Sequence, residues 1–286
     1  MQLDETITRD IIELYDKLRF VPFLKDKKQI IPDLAELLKQ AMPKFEKYGI
    51  AFSGGVDSSL LALLSQNQRK NFILYSVGLE NSPDIIAATK SASIMQWPIK
   101  FRILTIEEAE SIIKKVADIL ERHNALNVVN VGVAAVEYAV LGMAEQDHQN
   151  VVIGGLGSEE IFAGYERHRH NTHEACWQGL KDIYKRDLIR DNAIFKHFNI
   201  KAHCPFLDKV LIEYAMQIHP ELKINNEEKK LILRETAFFL GLPLDIAFRK
   251  KKAAQYGSNF DKVLEKLAKK NGFSFKQEYL VSLVNN

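Results

Sequence analysis

"IAFSGGVDSSLL" at residues 50–61 is the stretch on which the fold turns. Three apolar residues, Ile50-Ala51-Phe52, stop at Ser53. Gly54 and Gly55 follow, then Val56, the carboxylate of Asp57, the hydroxyls of Ser58 and Ser59, and an apolar run. That order predicts a strand, a tight turn and the first turn of a helix. Ligands of helix-covered sheets gather beyond the carboxyl ends of the strands. A glycine turn opening a helix gathers backbone N–H groups in one concavity, backed by the positive end of the helix dipole, which suits a phosphate. Asp57 would repel a bare phosphate. It becomes useful if Mg²⁺ lies between, because Mg²⁺ combines a few carboxylates with phosphate oxygens. The string contains neither GxxxxGK[ST] nor GxGxxG, so it is not one of the two commonest phosphate loops.

Working outward, short apolar runs alternate with helical spacing. Strands are expected over 49–53, 71–77, 98–104 and 150–154, and helices over 57–65, 82–95, 106–123 and 128–145. Strand–helix alternation predicts an α/β fold with a parallel sheet covered on both faces. Upstream, Ile7, Ile11, Ile12, Leu14 and Tyr15 make one helical stripe, and Ile30, Ile31, Leu34, Leu37 and Leu38 another. Beyond residue 155 the strand pattern fades, and 171–198, 208–218 and 226–240 read as helices. The expected organisation is a helical segment over 1–45, an α/β core carrying the phosphate loop over 46–165, and a mostly helical region over 166–286 packed on that core.

With 286 residues, 47% hydrophobic and 27% charged, the chain suits one large globular domain or two small ones. Its 39 basic and 37 acidic side chains nearly balance, which disfavours nucleic acid as the main partner while leaving room for a local basic patch. No apolar run is expected to reach the roughly 18 residues of a membrane span, and the polar start MQLDETITRD is no secretory signal. Cys176 and Cys204 form no CxxC and no disulfide framework. A reducing, cytoplasmic compartment is the expectation, and sulfur transfer by paired cysteines is not. Histidines 168, 170 and 173 do not share a helix face, and Arg167 and Arg169 between them oppose a metal site. Residues 249–252, RKKK, read as a solvated basic run or as a segment facing polyphosphate.

Residues 53–59, SGGVDSS, resemble the SGGxDS signature of the N-type ATP pyrophosphatases, the PP-loop superfamily. Four further stretches resemble the asparagine synthetase C-terminal domain family, in that family's order. They are SVGL at 76–79 with SPD at 82–84, GGLGSEEIFAGY at 154–165, CPFLD at 204–208 and KLILR at 230–234. GYERHR at 164–169 and KKAAQYGS at 251–258 look closer to the asparagine synthetase domain-containing subfamily, which lacks a glutaminase half. The resemblance implies the adenine-nucleotide α-hydrolase (HUP-like) sheet and a ligase that cuts ATP between its α- and β-phosphates. It implies nucleotide contacts from Ser53, Gly54, Gly55, Asp57, Ser58, Ser59, Val77, Gly78, Gly155 and Gly157, and Mg²⁺ held by Asp57 and Glu159. Lys230 would stabilise the adenylation transition state with Arg234 one turn on, and Asp187 would be a catalytic acid of the substrate-side helix beside Arg190.

The chain also departs from that family. Leu156 stands where the family keeps the first glutamate of SGEGSDE, and leucine can neither accept a proton nor orient an amine. Either another group is the base, or the nucleophile needs none, or the chemistry has changed. Residue 2 is Gln2 rather than a nucleophilic cysteine, and about 50 residues precede the phosphate loop. No glutaminase half is therefore expected, and nitrogen would come as ammonia, as an amine or from a separate glutaminase subunit. The leading expectation is an ATP- and Mg²⁺-dependent carbon–nitrogen ligase acting on a small carboxylate or amide acceptor, with a homodimer left open. A catalytically silent nucleotide-binding subunit and an RNA-modifying PP-loop enzyme are the alternatives.

Overall fold

The computed structural model describes residues 2–250 and 253–285. Its centre is a five-stranded, wholly parallel sheet: β1 (Lys47–Ala51), β2 (Asn71–Leu79), β3 (Ile99–Leu104), β4 (Val151–Ile153) and β5 (Lys201–His203), in the order β3-β2-β1-β4-β5. The helices that precede or alternate with these strands are α1 (Thr6–Leu18), α2 (Lys27–Ala41), α3 (Val56–Asn67), α4 (Pro83–Met95), α5 (Ile106–Glu121) and α6 (Val128–Gln146). Downstream follow α7 (Ser158–Ile161), α8 (Thr172–Ile183), α9 (Ile189–His197), α10 (Lys209–Gln217), α11 (Pro220–Lys223) and α12 (Leu231–Phe239). Last come α13 (Leu244–Ala247), α14 (Ala254–Gly257), α15 (Phe260–Lys270) and α16 (Lys276–Val284).

Side chains alternate across the pleat. Ile50, Leu74 and Ile153 enter one apolar layer with Leu60, Leu64, Trp177, Phe206 and Leu233. Tyr75, Val77 and Val152 enter the other with Ile113, Val131, Ile194 and Leu264. The α/β prediction holds, with helices on both faces. Strand β5 was not anticipated: three residues, Lys-Ala-His, carry no readable alternation, and their pairing with β4 comes from the tertiary fold.

Two other expectations are corrected. The run at 226–240 becomes helical only at Leu231; Lys230 precedes the helix in left-handed backbone with φ 57°, so Lys230 and Arg234 do not share a helix face. Helix α6 is long and apolar enough, by length and composition, to cross a membrane, contrary to the expectation of no such run. It packs against α5, α9, β2 and α14 as the central helix of its layer.

Because β4 returns to the far side of β1, the strand order reverses between these two parallel strands. Sheets of this kind bind ligands at that switch point. The loops leaving β1 and β4 are 52–55 and 154–157, the two glycine-bearing stretches of the sequence.

Candidate active site at the two glycine loops

Gly54 has φ +67°, and a Cβ there would lie 2.7 Å from the backbone of Ala87 and Ala88. Its lack of a side chain thus serves the approach of α4 as well as the exposure of the turn. Gly55 caps α3 in extended conformation. The Ser58 hydroxyl lies 3.3 Å from the Ser53 amide and donates to the Gly55 carbonyl, closing the loop. Ser59 is fully buried, and its Oγ has no hydrogen-bond partner.

The second loop mirrors the first. Gly157 has φ +96° and passes 2.5 Å (as a built Cβ) from the side chain of Leu207. A Cβ on Gly155 would lie 3.1 Å from that of Asp57, so the two loops touch. Val77 and Gly78 end β2 beside them; Gly78 closes on Ser82, whose hydroxyl caps α4.

Lys230 joins these loops. Its Nζ donates to both oxygens of Asp57 at 2.8 and 2.9 Å and to Ser158 Oγ at 2.9 Å, and lies 2.8 Å from Glu159 Oε1. Burial would favour the neutral amine, but Asp57 and Glu159 outweigh it and hold the ammonium above its ordinary pKa. Gly164 makes room for the arrangement: a Cβ there would sit 1.6 Å from Glu159 Oε2. A cleft of about 410 Å³ opens over this cluster, with Arg169, Arg234, Arg249 and Lys250 on its walls. Arg249 straps the first loop, donating to the carbonyls of Ser53 at 3.0 Å and Pro83 at 3.4 Å and pairing with Asp84. Arg234 pins the carbonyls of Lys229, Ala247 and Arg249. Lys251 and Lys252 lie outside the described residues.

Asp187 lies elsewhere, in a π-helical turn between α8 and α9. It takes Arg186 at 2.6 Å and Arg190 at 3.2 Å; Arg186 also holds Glu160 at 2.5 Å, and Arg190 holds Asp191 at 2.6 Å. This buried ion chain runs from the Glu159–Glu160 turn to a separate cavity of about 190 Å³, whose walls include Ser53, Val77, Gly155, Leu156, Glu137 and Asp191. Asp187 itself faces neither cavity nor cleft. Leu156 packs on the apolar core and turns to the cavity. Cys176 and Cys204 are both free thiols, and burial pushes each above the ordinary range.

The sequence reading missed Arg249 as the strap and Gly164 and Ser158 as the surroundings of Lys230. RKKK gave a charge signal for Arg249 but no direction. Among the described residues no cluster of three or more histidine, cysteine, aspartate or glutamate side chains is placed to hold a metal.

The asparagine synthase family model matches residues 32–178 and 169–273. The chain belongs to that family. A Methanocaldococcus jannaschii protein, provisionally named asparagine synthetase (glutamine-hydrolysing) 1, is 32% identical over 94% of this chain and 57% of its own length. Escherichia coli asparagine synthetase B is 25% identical over 82% of this chain and 46% of its own. The chain thus spans about half the length of the curated relatives it matches. Among solved structures, an NMN synthetase from Francisella tularensis superposes with TM-score 0.45 at 14% identity, covering 92% of this chain and 94% of its own.

Proposed function

We propose that this member of the asparagine synthase family is an ATP-dependent, AMP-forming carbon–nitrogen ligase. The observation that carries the reading is Lys230, which draws Asp57 and Glu159 from the two glycine loops onto one ammonium. Two carboxylates that converge on an ammonium can converge on Mg²⁺, and Mg²⁺ needs few protein ligands when phosphate oxygens supply others. Asp57 and Glu159 would hold it, and it would neutralise charge on the triphosphate.

The chain's own groups divide the remaining work. The N–H groups of 54–58 receive a phosphate at the start of α3. Lys230, with Arg249 and Lys250 on the cleft wall, offsets the charge that builds as an acceptor oxygen attacks the α-phosphorus and pyrophosphate leaves. Gly155 and Gly157 let the second loop approach the nucleotide, and Val77 and Gly78 end the strand beside it. Asp187 orients Arg186 and Arg190 and thereby holds the 158–160 turn; it acts as a positioning residue. Ammonia or an amine would then displace AMP from the activated acceptor.

The reading is tested by pyrophosphate release from ATP with Mg²⁺ and a panel of carboxylic acids beginning with L-aspartate, in wild type and Asp57→Ala. Release in the wild type alone is expected. No release with any acceptor overturns it.

A further inference from the structure

Helix α6 is apolar from its start, and its first charged residue is Glu137. Among the described residues no hydrogen-bond partner reaches Glu137 Oε2, although that oxygen is shut away from bulk water. A purely structural carboxylate at this depth would be met by a cation. The Arg190 guanidinium acts on Glu137 through its charge but donates its hydrogen bonds to Asp191 and Asp187. What Glu137 faces is the carboxyl of Asp191, on the wall of the same cavity. Two buried carboxyls that face each other disfavour ionising together. Burial and mutual repulsion push Glu137 well above the usual range.

Both carboxyls open onto the cavity of about 190 Å³ that ends at Leu156, Gly155 and Ser53. The cavity suits ammonia and the reacting end of an acceptor better than a whole nucleotide. Its other polar side chains are engaged or neutral. Asp84 is held by Arg249, His203 faces the Ala41 carbonyl, and burial keeps the Cys204 thiol protonated. Leu156 and the apolar walls exclude water and offer no base.

We infer that the Glu137–Asp191 carboxyl pair receives the amine nucleophile and accepts its proton, in place of any acid at position 156. The inference rests on the ligase reading above. Ammonium enters and gives one proton to the pair. The freed lone pair forms the C–N bond at the acyl carbon of the adenylate. The C–O bond to AMP breaks, AMP leaves with that electron pair, and a second proton from nitrogen is released as the amide forms. No redox partner is required.

The test compares two nucleophiles with the acceptor found active above. Ammonium must lose a proton before it can attack, whereas hydroxylamine is largely unprotonated at neutral pH and needs no base to free its lone pair. The ratio of the ammonium-supported to the hydroxylamine-supported rate is expected to fall about 100-fold in Glu137→Gln, and to recover in part when Leu156→Glu is added. An unchanged ratio overturns the inference; so does a weaker ATP affinity with an unchanged ratio, which would assign the pair to the nucleotide. If no acceptor supports pyrophosphate release, the ligase reading fails by itself, and the pair is judged from binding of [¹³C]methylammonium by NMR. Saturable broadening in the wild type that is absent in Glu137→Gln supports the amine site; equal spectra overturn it.

Discussion

Lys230 Nζ stands 2.8 Å from Glu159 Oε1, in a space that exists because residue 164 has no side chain. The same ammonium holds Asp57, so the residue that would stabilise the transferred charge also keeps two acids from repelling each other. Lys230→Met should remove the cation shared by buried Asp57 and half-buried Glu159, at a cost of up to about 3–5 kcal/mol. Mg²⁺ should restore part of that loss. Thermal unfolding with and without MgCl₂ should show a larger Mg²⁺-induced rise for the variant than for the wild type, and equal rises would count against a shared cation site.

Arg249 donates to the Ser53 and Pro83 carbonyls and pairs with Asp84, so it fixes the phosphate loop against α4. Arg249→Ala should weaken ATP binding by roughly 1.5–3 kcal/mol, the usual worth of hydrogen bonds to a charged group. Arg249→Lys should recover little, because an ammonium does not reproduce the planar fork. Calorimetric titration of ATP decides this, and full recovery by lysine would reduce the role of Arg249 to charge alone.

His168 is fully buried, and its Nδ1 accepts from the Tyr165 amide. Burial, followed by the charge of Arg167, pushes its pKa down to about 4. The folded state therefore binds fewer protons than the unfolded chain between about pH 6.5 and 4. Its contribution is present above pH 6.5 and is lost as pH falls through that window, by up to roughly 3 kcal/mol. In urea melts across that range, His168→Asn should flatten the decline relative to wild type; a parallel decline would show that His168 is not its source.

Gly54→Ala meets both a left-handed backbone and the main chain of Ala87 at 2.7 Å. The backbone penalty alone is about 1–2 kcal/mol, and α4 must also shift. A drop in the urea midpoint accompanied by weaker ATP binding is expected, whereas wild-type stability would show that α4 can yield at no cost.

The sequence made the sheet and the first loop legible because both are local. Alternating apolar runs fix strands and helices, and SGGVDSS fixes a turn that opens a helix. Strand β5 was hidden, since its three residues acquire strand geometry only beside β4. The backbone reversal at Lys230 was hidden too, because KLILR carries helical spacing while the ion pairs that hold Lys230 outside the helix come from residues far away in the chain. Asp187 was visible as an acid among arginines. Its place inside an ion chain, facing neither cavity nor cleft, required the fold. Glu137 gave no signal beyond one charge in an apolar helix, and only the fold brings it to the same cavity wall as Asp191 of α9.

The central claim is scission between the α- and β-phosphates at the loop that begins with Ser53. Positional isotope exchange tests it most directly: ATP carrying ¹⁸O in the α–β bridge is incubated with the protein, Mg²⁺ and the carboxylate panel. The account predicts migration of label from the bridge to a non-bridging β-phosphate position in the wild type and none in Asp57→Ala. Release of ADP and phosphate with the bridge label unmoved would contradict it.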